Sequence, residues 1–244
     1  MDQLVVLLFA PGHRPAVSEI KALSQELGQF AVTLESSGPV KEIRWAELLA
    51  NGLTFDLTGL SPGKPGPGVA TGHLFGLAEG FDPAACEGVA LSPGPHLTSG
   101  GPMVPVLRCL AWLAAELSSL EHLRAIVWSP ARTICGPTYF RDAVMRWIGG
   151  GAFPGLGLTA LRPNTDGSLE SEGLALFTGQ ELRLEPDHGH DQAQDAKVAL
   201  RLLHWLVENG QVDQTMSLTG PMGETLLLEP RAEDGIVHVW RGSR

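Results

Sequence analysis

A chain of 244 residues, 43% hydrophobic and 18% charged, carries enough apolar material for one large or two small packed cores, which argues against a disordered protein. Its net charge of −10, with 17 basic residues scattered rather than clustered, argues against a nucleic-acid role and against docking on anionic lipid. The 30 glycines and 18 prolines imply many turns and long loops rather than a helical bundle.

Residues 4–10 (LVVLLFA) are a continuous apolar run after Asp2, too short and without the basic flank of a signal peptide or membrane span. A buried strand is expected there. Pro11-Gly12 then turn the chain into a helix over 16–27, where Val17, Ile20, Leu23, Ser24 and Leu27 recur at helical spacing and Gly28 fits the C-terminal cap. A second strand is expected over 30–34, a short helix over 43–50 stopped by Asn51-Gly52, and a third strand over 53–57. Residues 61–68 (SPGKPGPG) cannot form a regular element, because prolines remove donors and glycines add chain entropy. A surface loop is the plain reading and a lid the functional one.

A polar, glycine-rich stretch over 92–102 precedes a helix over 103–118, whose apolar face carries Met103, Val106, Leu107, Leu110, Ala114 and Leu117. Residues 123–128 read as a buried strand, and 137–148 as a helix ended by Gly149, Gly150 and Gly151. Strands over 156–161, 173–177 and 181–184 follow, with Asn164-Thr165-Asp166-Gly167 as the first hairpin turn. A long helix over 193–208 repeats Ala196, Leu200, Leu203 and Val207 on one face and ends at Asn209-Gly210. Closing strands over 224–228 and 236–240 are joined across 233–235.

This order implies an α+β fold, with mixed or antiparallel sheets and packed helices, rather than a doubly wound parallel sheet. Strand–helix–strand–strand runs over 4–57 and 123–177 suggest two pseudo-repeated α+β lobes, 1–91 and 92–244, within one compact unit.

Three stretches could carry chemistry. Residues 185–195 (EPDHGHDQAQD) place His188 and His190 two apart, so on a strand both would face one side, where two histidines and an aspartate can hold zinc. The same residues also read as a helix opening, with Asp191 at the N-cap, Gln194 three residues on, and Asp195 at the positive helix end. Two solvated histidines then remain.

Cys135 lies just before a helix start, where the dipole can lower a thiol pKa, and Arg132 could hold an anion beside it; the plain reading is a half-buried turn. Thr98, Ser99, Gly100 and Gly101 lead into a helix as an amide nest for phosphate would, without the Lys-Ser/Thr ending of a P-loop. Cys86, Cys109 and Cys135 are odd in number and lack a CxxC pair, so they read as reduced thiols of a cytoplasmic protein. Ser129 is not in a nucleophile elbow, and His204 reads as a boundary residue of the long helix.

Ala125-Ile-Val-Trp-Ser-Pro-Ala131 followed by Phe140, then Gly173-Leu-Ala-Leu-Phe-Thr-Gly-Gln-Glu-Leu182, then the Leu-rich helix ending at Gly210, together resemble an uncharacterised bacterial family, domain of unknown function 4261. The resemblance covers the C-terminal two thirds and implies a fold without implying catalytic residues. The expectation is a cytoplasmic, acidic binding domain without a cofactor, whose partner is another protein or a small molecule, in a bacterial stress or toxin-immunity setting. Nucleic acid and membrane are not expected partners. The rival is a hydrolase or transferase using Cys135 or a His188/His190 metal site, and a third reading is a self-associating homo-oligomer.

Overall fold

Val5–Phe9 (VVLLF) forms β1, and all five side chains are buried, which is why the run shows no polar alternation. The computed structural model describes residues 3–36, 43–98, 103–187 and 192–242. The chain divides into two compact units, Met1–Gly151 and Ala152–Arg244. Each carries one mixed sheet with helices, so the fold is α+β.

In the first unit β1 is followed by helix α1 (Val17–Leu27), which ends at Gly28 with φ 64° as a left-handed cap should. Strands β2 (Ala31–Glu35), β3 (Arg44–Ala50), β4 (Leu53–Leu60), β5 (His73–Phe75) and β6 (Glu87–Pro93) come next. The short α2 (Pro95–Thr98), then α3 (Val104–Glu116), β7 (Leu123–Trp128), β8 (Thr133–Cys135) and α4 (Pro137–Ile148) complete the unit. The eight-stranded sheet runs β2-β3-β4-β6-β1-β7-β8-β5, antiparallel throughout except for the β5–β8 pair. Helices α3 and α4 pack on each other and on β6 and β7.

The helix expected over 43–50 is instead β3. Ala46, Leu48 and Ala50 are buried at every second position, which is strand period, and the segment is laddered between β2 and β4. Asn51 (φ 51°) and Gly52 (φ 77°) are the two-residue turn of the β3–β4 hairpin, both with positive φ, not a helix stop.

The Pro/Gly segment is neither a regular element nor a free loop. Gly66 donates to the Gly88 carbonyl (2.8 Å), and a Cβ on Gly88 would sit 2.1 Å from the Pro67 carbonyl oxygen. Glycine there lets the segment lie flat on β6. Beyond it, Val69, Leu77, Phe81 and Cys86 close over Val6, Leu8, Ala125, Val127 and Ile134. The long connection is thus a cover for one face of the sheet.

A division after residue 91 would cut β6, which lies between β4 and β1 at the middle of this sheet. The observed division comes between Gly151 and Ala152, so the strand–helix run over 123–177 spans it.

The second unit begins with turns, and β9 is Ala160–Pro163 rather than the expected 156–161. Strand β10 (Leu169–Glu172) follows the Asn164–Gly167 turn. Residues expected as a strand over 173–177 instead hold a single helical turn, α5 (Ala175–Thr178), ended by Gly179 at φ 83°. Its cause is Glu181, whose carboxylate accepts from the Gly173, Leu174 and Ala175 amides at 2.9, 3.1 and 3.1 Å and from the Ser171 hydroxyl.

Strand β11 (Glu181–Leu184), helix α6 (Gln192–Asn209), and strands β12 (Met216–Thr219), β13 (Thr225–Arg231) and β14 (Ile236–Arg241) complete a six-stranded sheet, β12-β13-β14-β11-β10-β9. Val198, Ala199, Leu202, Leu203 and Leu206 of α6 bury against Leu182, Leu184, Leu226, Leu228, Val237 and Val239. Among the described residues no helix is long and apolar enough to cross a membrane.

Candidate ligand-binding cleft

Among the described residues, Cys135 and Arg132 do not form a reactive centre. Cys135 ends β8 at 0% exposure, and burial pushes its thiol up to about 12, with a hydrogen bond to Thr133 offsetting only part of the rise. The expected lowering by the helix start is overturned because desolvation of a thiolate outweighs a helix-end dipole. The Gly136 amide is also already spent on the Phe75 carbonyl (2.8 Å). Arg132 is exposed at φ 49°, its carbonyl accepting from the His73 amide, whereas the Cys135 thiol is buried.

Thr98 closes α2, while Ser99, Gly100 and Gly101 lie outside the described residues, as do His188, His190 and Asp191. Among the described residues no group of three or more His, Cys, Asp or Glu side chains could hold a metal. His204 is a structural residue: its Nδ1 accepts from the Phe153 amide (3.1 Å) and its Nε2 lies 3.3 Å from Glu208.

A polar network runs across the second sheet. Arg183 reaches Glu170 (3.3 Å), Glu185 (3.2 Å) and Asp166, and Glu185 meets His238 Nδ1 at 2.6 Å. His238 Nε2 faces Asp234 at 3.6 Å. Arg183 and His238 thereby join β10, β11 and β14, and the network ties these strands together.

An arrangement that can take a ligand lies in the first unit. Pro105, Arg108, Cys109 and Trp112 fall at i, i+3, i+4 and i+7 on α3, a second face distinct from the core stripe. They form one wall of a cleft of about 490 Å³, completed by Asn51 and Leu53 of the β3–β4 hairpin, Gln29 after the α1 cap, and Ile148 at the end of α4. That volume lies within the range of small-molecule sites, roughly 300–1,000 Å³. A second cleft, between α6 and the β12–β13 turn, measures about 150 Å³ and falls below it.

Arg108, Asn51 and Cys109 are each held by a contact of their own. Arg108 Nη2 donates to the Trp147 and Ile148 carbonyls at 3.0 and 3.1 Å, a cation on the negative end of α4. Among the described residues nothing accepts from its Nε or Nη1, so those donors remain for a ligand. The hairpin turns Asn51 inward, and its Nδ2 meets Cys109 Sγ at 3.6 Å while the thiol faces the Ala50 carbonyl at 3.7 Å. Burial pushes the Cys109 thiol up, against a smaller lowering by Asn51, so it is a weak donor and not a nucleophile. Arg108 is the single charged side chain among the described lining residues, in a chain of net charge −10.

In the sequence the core stripe of α3 masks this second face. The signal was the spacing Pro-x-x-Arg-Cys-x-x-Trp itself. No family model, curated protein or solved structure matches the chain.

Proposed function

We propose that this protein is a non-catalytic small-ligand-binding domain. Its cleft takes a compact molecule with an aromatic or apolar body and a carboxylate or other anionic acceptor. The observation that carries the reading is Arg108, a cation with unused donors in a cleft otherwise walled by Trp112, Leu53, Pro105 and Ile148. An apolar body gains burial against these walls, and its acid group gains a charge-assisted hydrogen bond. Asn51 and Gln29 supply the amides that orient it. A cytoplasmic role in a bacterial stress or toxin-immunity setting belongs to this proposal.

The test is a thermal-shift comparison of matched pairs, each an aromatic carboxylate and its neutral amide, on wild type and Arg108→Gln. The carboxylate should raise Tm more than the amide in wild type, and the difference should vanish in Arg108→Gln. Equal shifts for both members of every pair, or none, would overturn the reading.

A further inference from the structure

We propose that His13 and His122 form a two-histidine site for a borderline divalent cation, Zn²⁺ or Cu²⁺. Their rings lie with centroids 4.2 Å apart and planes inclined at 39°. They come from different segments, the β1–α1 turn and the turn before β7, and one residue anchors both. The Ala10 amide donates to the His122 carbonyl (3.1 Å), and the Ala10 carbonyl accepts from the His13 amide (3.0 Å). The two backbones are therefore held in one arrangement by the end of β1.

Three further features favour a ligand role. His122 sits at φ 61°, a left-handed conformation uncommon outside glycine, and strain of this kind concentrates at functional positions. Both residues are exposed, and among the described residues neither ring nitrogen has a hydrogen-bond partner. The neighbouring cation is held away, because Arg14 is committed to Glu87 (2.8 Å) and to the Gly59 and Gly63 carbonyls. Metal–nitrogen bonds of about 2.0–2.1 Å need the two nitrogens roughly 3 Å apart. Tilted rings at the observed separation reach that by turning about their soft terminal torsion. Imidazole suits zinc and copper better than calcium or magnesium, and two protein ligands leave positions for water or an outside donor.

The experiment titrates tag-free, chelator-treated protein with ZnCl₂ and CuCl₂ by isothermal calorimetry. The variants are His13→Ala, His122→Asn and the double variant His188→Ala/His190→Ala. Asparagine tolerates the left-handed backbone, so His122→Asn removes the imidazole without disturbing the turn. Saturable uptake of one equivalent, weakened at least about tenfold by either single variant and unchanged in the double variant, supports the site. No saturable uptake overturns it. So does uptake that survives His13→Ala and His122→Asn, whether or not it depends on His188 and His190.

Discussion

The Arg108 guanidinium lies 5.0 Å over the Trp147 ring while its Nη2 holds the last two carbonyls of α4. One side chain thus closes a helix end and charges the cleft. Arg108→Gln should lower unfolding free energy by about 1–2 kcal/mol, from the lost helix-end charge and cation–π contact. Arg108→Lys should recover part of the ligand affinity but little of the stability, because a single ammonium cannot serve carbonyls, ring and ligand together. Urea unfolding and ligand titration on both variants separate the two effects.

Cys135 should resist alkylation in the native protein at pH 8 and react only after denaturation, because it is fully buried and its thiol is pushed up to about 12. Cys86, half exposed, should be modified first. Since the folded value lies above the unfolded one, the native state holds an extra proton from about pH 9 upward. The associated stability is fully present below that pH and falls as pH rises toward the folded value. Mass mapping of alkylated sites and urea midpoints at neutral and alkaline pH check both statements. A Cys135 that reacts as fast as Cys86 in folded protein would restore the nucleophile reading.

Glu181→Ala should cost about 2 kcal/mol, because three backbone amides and the Ser171 hydroxyl lose one acceptor. Glu181→Gln keeps an acceptor in place and should cost less. Chemical denaturation read by tryptophan fluorescence distinguishes them, and equal costs for both would contradict the capping role.

Arg183→Ala should destabilise the protein by about 1–2 kcal/mol, by leaving Glu170, Glu185 and Asp166 without their shared cation. The effect should shrink in high salt. Hydrogen bonds from Ser168, then the charge and donor of Arg183, hold the Asp166 carboxyl below its usual value. Its contribution is therefore present above the ordinary aspartate range and lost as pH falls through the depressed value. Acid titration of wild type and variant by circular dichroism should show the wild-type curve displaced to lower pH.

The elements legible in the sequence were those whose apolar period is long and whose ends carry glycine, such as α1 before Gly28, α6 before Gly210, and the unbroken apolar β1. The segment at 43–50 reads as a helix, although Ala46, Leu48 and Ala50 alternate and Asn51-Gly52 is a hairpin signature, because Ile43, Trp45 and Leu49 blur the period. The turn at α5 depends on a carboxylate several residues further on, so local propensity could not reveal it. The fate of Cys135 depends on β5 pairing beside it and α4 beginning directly after it, contacts that spacing along the chain does not express. His13 and His122 are likewise brought together by the β1–β7 pairing and the Ala10 backbone bonds beside it.

The most direct measurement of the cleft's role follows the Arg108 Nε–H and the Trp112 indole N–H signals by ¹⁵N NMR while aromatic carboxylates are titrated in. A binding cleft predicts that both signals move together and saturate with the same ligand, with the Asn51 side-chain amide following. Signals that stay fixed, or a ligand whose largest shifts fall elsewhere in the chain, would contradict it.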